Sequence, residues 1–132
     1  MMKKIVFLIL LDQITKFLAF RGFFDFCSCL RLTKNYGLIF SISFRPYDWL
    51  VLVLIFGLLV WYFFVFRAPL EFKSFYFLLI FSGAISNLFD RISFGYVRDF
   101  INLGLATVNL ADFYLLLGVL WSLLDSKHLK QQ

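Results

Sequence analysis

The chain has 132 residues, of which 62% are hydrophobic and 22% aromatic, including 20 phenylalanines. A soluble domain of this size would expose more apolar surface than water tolerates, so the composition excludes an ordinary soluble protein and indicates one membrane-embedded domain spanning residues 1–132. The net charge of +5 comes from basic residues that flank apolar runs, as at membrane edges, and no basic patch interleaved with aromatic residues indicates nucleic-acid binding.

Four apolar segments are predicted to be transmembrane helices, and the plainest of them runs for 18 residues without a charge. The segments are residues 5–20, 49–66, 75–91 and 105–124. The start Met-Met-Lys-Lys resembles a cleavable secretion signal, but no small-x-small cleavage site follows and Asp12 interrupts the run. We therefore expect an uncleaved first helix.

The region between the first two spans has the alternation of a β-hairpin. Apolar residues alternate with polar ones at 30–33 and again at 40–44, and Asn35-Tyr36-Gly37 between them is typical of a turn. The predicted fold class is thus an all-α integral membrane protein of four transmembrane helices, with a small β-hairpin or sheet between helices 1 and 2. Cys27 and Cys29 are too few for a disulfide framework, and we interpret them as two small apolar side chains.

Orientation is less well determined than the number of spans. With both termini cytoplasmic, six basic residues lie on that side and seven lie on or near the other, which gives no bias. The short start with Lys3 and Lys4 favours a cytoplasmic N-terminus, because the first helix usually dominates.

Several polar residues fall within the apolar segments, where a charged side chain costs about 2.5–3.5 kcal/mol on insertion scales and indicates function. Asp12 and Lys16 are four residues apart and are predicted to pair on one helix face, in a structural role in preference to a catalytic one. Asp90 and Arg91 are interpreted as a local structural pair near a helix end.

Three further polar residues belong to the same two faces. Asn87 shares the inward face of the third predicted helix with Asp90 and Arg91, and Asn109 shares a face with Asp112 at the start of the fourth. Asn87 and Asn109 are interpreted as hydrogen-bonding scaffold.

Asp99 and Asp112 flank a short connection between the third and fourth segments, so they could meet at one membrane surface. Two carboxylates about 3 Å apart cannot both ionise, so one keeps a proton while the other acts as a base. Such a pair can activate water against an amide carbonyl and then protonate the leaving nitrogen. The spacing alone does not decide for catalysis, and it leaves an ion or proton pathway open, since such pathways use the same residue types.

Other hydrolytic chemistries lack their residues. The only histidine, His128, lies in the polar tail, so neither a serine–histidine arrangement nor a histidine-rich metal site is available. No serine is obviously placed to pair with Lys16, and no glycine-rich phosphate loop is present. We expect no metal and no cofactor. The alternatives to a peptidase are a small four-helix multidrug or ion transporter and a structural subunit of a larger membrane complex.

Five short motifs, in order along nearly the whole chain, resemble those of the lipoprotein signal peptidase (signal peptidase II) family. They are DQITK at 12–16, NYGLIF at 35–40, GAISNLFDR at 83–91, GYVRDF at 95–100 and NLAD at 109–112. The resemblance implies an aspartic endopeptidase that removes the signal peptide from prolipoproteins, cutting before a cysteine that already carries a diacylglyceryl group. It places Asp99 and Asp112 on the catalytic positions. The positions that support the site or bind substrate are Asp12, Lys16, Asn35, Gly37, Asn87, Asp90, Arg91 and Asn109.

The resemblance also implies a place in the cell. The family works in the bacterial cytoplasmic (inner) membrane as a multi-pass protein, with the active site at the extracytoplasmic face, which would put the hairpin outside and both termini inside. The expected partners are the lipid-modified prolipoprotein and membrane lipids, without nucleic acid, and the chain is expected to act as a monomer.

The sequence departs from the family pattern at a few positions. Ser86 stands where glycine is common, and Leu38 and Ile39 stand where small residues are usual and are expected to narrow the pocket. Arg98 precedes Asp99 where an apolar residue is typical. We expect this cation to lower the pKa of Asp99 and to shift the pH optimum.

Overall fold

A computed structural model describes residues 2–37, 57 and 74–128 of the chain. The helices in these ranges are α1 (Met2–Phe20), α2 (Ser74–Phe94) and α3 (Leu110–His128). The strands are β1 (Thr33–Asn35), β2 (Val97–Asp99), β3 (Ile101–Asn102) and β4 (Thr107–Val108). Apart from Gly57, the predicted span 49–66 lies outside the described residues, as do the predicted strand 40–44 and the residues Leu38 and Ile39.

The helices carry their apolar side chains outward as well as inward. Phe7 is 63% exposed on α1 and Trp121 is 51% exposed on α3, in each case among exposed leucines. Such a surface is stable against lipid and not against water. Residues Phe75–Phe94 form the one helix in the described ranges with the length and hydropathy to cross a membrane by itself, with a mean hydropathy of 1.3. The mostly helical architecture with small antiparallel sheets is as predicted, and the helices of three of the four predicted spans lie within the described part of the chain.

Two glycines let α2 and α3 approach closely. A Cβ atom on Gly83 would lie 2.5 Å from the carbonyl oxygen of Ala111, and one on Gly118 would lie 2.6 Å from Cγ1 of Ile80. Both distances are shorter than the non-bonded contacts that Cβ atoms make, so a side chain at either position would force the facing helix to shift. The Gly83 contact matters for the site because Ala111 belongs to the first turn of α3.

The strands form two small antiparallel sheets at the ends of the helices. β1 pairs with β2, so that Thr33 lies opposite Asp99 and Asn35 opposite Val97, and β3 pairs with β4. A strand therefore exists in the predicted hairpin region, but it covers 33–35 where 30–33 was expected, and it includes Asn35 of the predicted turn. Its described partner is β2, which lies in the predicted connection between the third and fourth segments. This pairing brings Asn35 to Asp99 across a long stretch of sequence.

The predicted boundary of the last helix is wrong. It was expected to begin at residue 105, whereas α3 begins at Leu110 and residues 107–108 form β4 instead. The mostly apolar residues 105–108 belong to the β3–β4 hairpin and not to a helix. Leu105, in the loop of this hairpin, is fully exposed. The helix starts where Asn109 supplies a side-chain cap.

The interpretation of Cys27 and Cys29 as two separate small side chains is also wrong, because they form a disulfide. In an extended segment, Cα atoms two residues apart lie about 6.6 Å from each other. Here the chain turns, with the Leu30 amide donating to the Cys27 carbonyl, and the two Cα atoms are 5.3 Å apart, within the usual range for a bridge.

Candidate active site

Asp112 is held by the start of helix α3. The Asp112 amide donates to Oδ1 of Asn109 at 3.0 Å, and the Asn109 amide donates back to Oδ2 of Asp112 at 3.1 Å. This reciprocal pair is a capping box, in which the N-cap residue and the residue three positions later satisfy each other's backbone donors. The motif NLAD thus fixes both the beginning of the helix and the direction of the Asp112 carboxylate.

Asp99 lies on β2 and receives one side-chain donor at each carboxylate oxygen. Asn109 donates from Nδ2 to Oδ1 at 2.6 Å, and Asn35 donates from Nδ2 to Oδ2 at 2.8 Å. The Asn35 side chain is oriented by its own turn, because its Oδ1 accepts the Gly37 amide at 2.9 Å. Asn109 therefore contacts both aspartates, which the structure brings to one place as predicted.

Asn87 connects Asp112 to a buried cation. Its Nδ2 donates to Oδ1 of Asp112 at 2.8 Å, while its Oδ1 accepts Nζ of Lys16 at 2.9 Å. An ammonium group only donates, so Lys16 fixes which end of the Asn87 amide faces the aspartate. The same Oδ1 also accepts Nδ2 of Asn109 at 3.2 Å. Asn87 and Asn109 therefore have the hydrogen-bonding role that the sequence suggested.

Asp12 and Lys16 form the predicted ion pair, with Nζ and Oδ2 2.7 Å apart and both side chains fully buried. Oδ1 of Asp12 accepts the amide of Ala111 at 3.0 Å, at the N-terminus of α3. A carboxylate there is favoured by the free amides and the helix dipole. Ser86 donates to Oδ2 of Asp12 at 2.6 Å. Asp12 thus ties α1 to α2 and to the helix that carries Asp112.

The predicted local pair of Asp90 with Arg91 is wrong. Asp90 is fully buried and pairs with Arg98, whose Nη2 lies 2.7 Å from Oδ1, and with Lys16, whose Nζ lies 3.3 Å from Oδ2. Arg91 instead donates from Nη2 to the carbonyl of Gly37 at 2.8 Å. Adjacent residues on a helix point about 100° apart, so partners on other elements are better placed to meet Asp90.

The environment of Asp99 changes its acidity. Burial raises the pKa of Asp99 from its ordinary value of 3.8 to about 6, the hydrogen bond from Asn35 opposes this, and the nearby Asp112 charge adds to it. The expectation that Arg98 lowers this pKa is not met. Consecutive side chains on a strand point to opposite faces, so Arg98 turns away from Asp99 and towards Asp90.

The structure gathers every predicted site residue into one cluster, which also contains three residues that the sequence did not assign to the site. These are Gln13, Ser86 and Arg98. Ser86 and Arg98 were visible as departures from the family pattern, and Gln13 as part of the first motif. Within the described residues, no group of three or more histidines, cysteines or acidic residues is arranged to hold a metal ion.

The family model for signal peptidase (SPase) II matches residues 4–128. The chain belongs to the signal peptidase II family. It is therefore a peptidase, and the aspartic type is consistent with this family.

Relatives and solved structures agree with this membership. The chain is 41% identical to the lipoprotein signal peptidase of Caldicellulosiruptor bescii over 118 residues, covering 83% of this chain and 79% of the relative. It is 35% identical to the lipoprotein signal peptidase of Tropheryma whipplei (strain Twist), covering 92% and 89%.

In structure, it resembles a bacterial membrane enzyme solved by the in meso method at 2.3 Å resolution, with a TM-score of 0.75 and 24% identity, covering 96% of this chain and 88% of that one. A second such structure, at 1.9 Å resolution, gives a TM-score of 0.73 at 22% identity, covering 94% of this chain and 90% of that one. This likeness shows a shared fold.

Proposed function

We propose that this signal peptidase removes the signal peptide from diacylglyceryl-modified prolipoproteins, cutting before the lipidated cysteine, with Asp99 and Asp112 as its catalytic pair. The observation that carries the proposal is the double contact of Asn109, which donates to Asp99 through its side chain and to Asp112 through its backbone. The two carboxylates also interact electrostatically, because the charge of Asp112 raises the pKa of Asp99. We infer that the two act as a unit that holds a single proton.

The chemistry follows from that shared proton. The ionised carboxylate takes a proton from a water molecule as the water oxygen bonds to the scissile carbonyl carbon, and the protonated carboxyl donates to the carbonyl oxygen. When the carbon–nitrogen bond breaks, the proton taken from water passes to the leaving nitrogen. A hydroxyl proton of the tetrahedral intermediate returns to the second carboxylate as the product carboxyl group forms, so the pair again holds one proton. The raised pKa of Asp99, about 6, supports a proton retained on the pair in mildly acidic solution, where an ordinary aspartate would have lost it.

Asp12, Lys16, Asn87 and Asn109 support the pair through the contacts described above. Asn35 and Gly37 place β1 beside it, and Asp90 and Arg91 join α2 to β2 and to Gly37. We also propose that the enzyme acts as a monomer.

We further propose four transmembrane spans, both termini in the cytoplasm and the site at the extracytoplasmic face of the bacterial cytoplasmic membrane. The disulfide between Cys27 and Cys29 supports this orientation, because disulfides persist outside the reducing cytosol. The cysteines lie in the same chain segment as β1, which contacts Asp99, so the site and the bond lie at the same end of α1. A site at this level can meet a lipid-modified substrate within the membrane.

The proposal is tested by incubating the purified protein in detergent with a diacylglyceryl-modified prolipoprotein and analysing the products by mass spectrometry. We expect a shortened product that begins with the lipidated cysteine. The unmodified prolipoprotein and the Asp99→Asn enzyme are the matched controls, and neither should give this product. Equal cleavage of the modified and unmodified substrates would contradict the lipid requirement, and a different new N-terminus would contradict the proposed cleavage position.

A further inference from the structure

Arg98 and Asp99 are neighbours on β2 with different partners. The Asp99 carboxylate is fully buried against Asn35 and Asn109, whereas the Arg98 guanidinium is directed towards α2 and is only 6% exposed. A cation buried to this extent is costly unless its donors are satisfied. The contacts of Arg98 therefore indicate what its charge does in the fold.

Asp90 holds both the backbone and the side chain of Arg98. The Arg98 amide donates to Oδ2 of Asp90 at 3.0 Å, and Nη2 donates to Oδ1 at 2.7 Å. Nη2 also donates to Oε1 of Gln13 at 2.6 Å, and Nε2 of Gln13 donates to Oδ1 of Asp90 at 3.0 Å. We call these three residues (Gln13, Asp90 and Arg98) the Arg98 brace.

The brace is joined to α1 and α2 at one level. Nε2 of Gln13 also donates to the Ser86 hydroxyl at 2.9 Å, and Ser86 donates in turn to Asp12. The two departures from the family pattern, Ser86 and Arg98, thus meet on the same glutamine. Without the Ser86 hydroxyl, or without the Arg98 guanidinium, Gln13 would lose one of these hydrogen bonds.

The same helix face positions both aspartates. Asn87 and Asp90 are three residues apart on α2 and lie on one face. Asn87 binds Asp112 directly, and Asp90 holds the residue that precedes Asp99. Fixing these two contacts on one rigid helix fixes where the two carboxylates lie with respect to each other.

We propose that Arg98 is a positioning residue, which sets the place of Asp99 relative to Asp112 through Asp90 and Gln13. The inference rests on the proposed function, in which these aspartates perform the cleavage. A misplacement of about 1 Å in a catalytic group can lower the rate by about 10²-fold. We expect the loss of the brace to act on kcat, since Arg98 is only 6% exposed and its guanidinium donates to Asp90 and Gln13.

The test compares three variants of the full-length protein in detergent. Arg98→Met keeps the length and removes the donors, and Arg98→Lys keeps the charge but cannot bind Asp90 and Gln13 in the same way. Lys34→Met is the matched control, because Lys34 lies opposite Arg98 in the β1–β2 register and is exposed. We expect kcat per folded enzyme to fall by about 10- to 100-fold in Arg98→Met and by less in Arg98→Lys, with KM changed by less than about twofold. Lys34→Met should keep both constants.

A folded Arg98→Met protein with wild-type kcat would overturn the proposal. An equal loss of kcat in Lys34→Met would overturn it as well, because any change of charge on the sheet would then suffice. If Arg98→Met does not fold, Arg98→Lys alone decides, since its retained charge still neutralises Asp90. Wild-type kcat in the folded Arg98→Lys protein would then count against positioning.

A second readout needs no turnover. The Asp99 carboxyl can be titrated by NMR in ¹³C-aspartate-labelled protein, with its signal assigned from the Asp99→Asn variant. Burial is the largest cause that raises the pKa of Asp99, so a strand released by Arg98→Met should move this pKa towards the ordinary value. An unmoved Asp99 titration would overturn the positioning role. If the wild-type protein does not cleave the prolipoprotein, the proposed function is contradicted. The titration still tests whether Arg98 positions Asp99, because it does not depend on cleavage.

Discussion

Asn109 and Asp112 each donate a backbone amide to the other's side chain, at 3.1 and 3.0 Å. The side-chain oxygen of Asn109, Oδ1, accepts the Asp112 amide and so caps α3. The side-chain nitrogen, Nδ2, remains available and donates to Asp99. One residue therefore has two separable roles, as the cap of α3 and as a hydrogen-bond donor to Asp99 of the proposed catalytic pair.

Replacing Asn109 should separate these roles. Asn109→Ser keeps a good N-cap but loses the donor to Asp99, while Asn109→Ala loses both. We expect cleavage to fall by about 10²-fold or more in each variant, and the alanine variant to lose about 1 kcal/mol more stability than the serine variant. Rates and unfolding midpoints in the same detergent test this. Serine and alanine variants of equal stability would show that the cap contributes little.

The two aspartates should behave as a unit. Replacing either by asparagine keeps its shape but removes an oxygen that titrates, so Asp99→Asn and Asp112→Asn should each lower kcat by about 10³-fold or more. The double variant should be no worse than either single one, because groups that act together are not additive. Substrate binding should survive in all three, as judged by pull-down of the prolipoprotein. Substantial turnover by folded Asp112→Asn would mean that water is activated elsewhere.

The acidity of Asp99 predicts how stability depends on pH. With its pKa raised from 3.8 to about 6, the folded protein keeps a proton that the unfolded chain releases between these values. The contribution of Asp99 is therefore fully present below pH 3.8 and is lost as the pH rises through 6. Relative to Asp99→Asn, the free energy of unfolding of the wild type should fall by up to roughly 3 kcal/mol across this window. Chemical unfolding of both proteins at a series of pH values measures the difference, and parallel curves would contradict it.

The two glycines of the α2–α3 contact make a matched comparison. Gly83→Ala and Gly118→Ala each insert a methyl group into occupied space, so each should destabilise the protein by about 1–3 kcal/mol. Only Gly83 faces the carbonyl of Ala111, next to Asp112. We therefore expect kcat per folded enzyme to fall in Gly83→Ala and to be retained in Gly118→Ala, with folded fractions measured by size-exclusion chromatography. Equal kcat in the two variants would show that the first turn of α3 can shift to accommodate the methyl group without displacing the Asp112 carboxylate.

The proposed topology can be tested by labelling. Cys27 and Cys29 are bonded to each other and do not react with a maleimide, so the native chain needs no cysteine removal. Ser43→Cys should react with a membrane-impermeant maleimide added from outside the cell, and Lys130→Cys should react only after the cells are opened. Labelling of both positions from the same side would contradict four spans with cytoplasmic termini.

The parts of the site that could be predicted from sequence are those set by local spacing or by the resemblance. The Asp12–Lys16 pair follows from helix geometry, since residues four apart share a face. The motifs indicated the residues that meet around Asp99 and Asp112. The NLAD motif also held an unused signal, because asparagine followed three residues later by an acid is a capping box and predicts a helix start at 110.

The contacts that could not be predicted are non-local. From the sequence, Asp90 could equally have paired with its neighbour Arg91. Asp90 pairs with Arg98 because β2 packs against α2, and the sequence pattern does not reveal this packing. The β1–β2 pairing joins residues 62 to 66 positions apart, and it brings Asn35 into a side-chain hydrogen bond with Asp99, 64 positions away. Three-residue strands carry too little alternation to be recognised in the sequence. The Cys27–Cys29 bond likewise depends on a turn that the sequence pattern did not reveal.

The burial of Asp90 has a consequence for how the enzyme assembles. Within α1, Asp12 carries its counter-ion four residues away, so this helix can enter the membrane with its charges already balanced. Asp90 has its cations on other elements, Lys16 on α1 and Arg98 on β2. If α2 entered the bilayer before β2 had docked, the Asp90 carboxylate would lack the Arg98 guanidinium. The free-energy cost of this unpaired charge in the membrane favours early docking of β2. On the proposed topology we therefore expect membrane insertion of α2 and docking of β2 to be coupled, so that partly assembled chains neither persist nor cut peptide bonds.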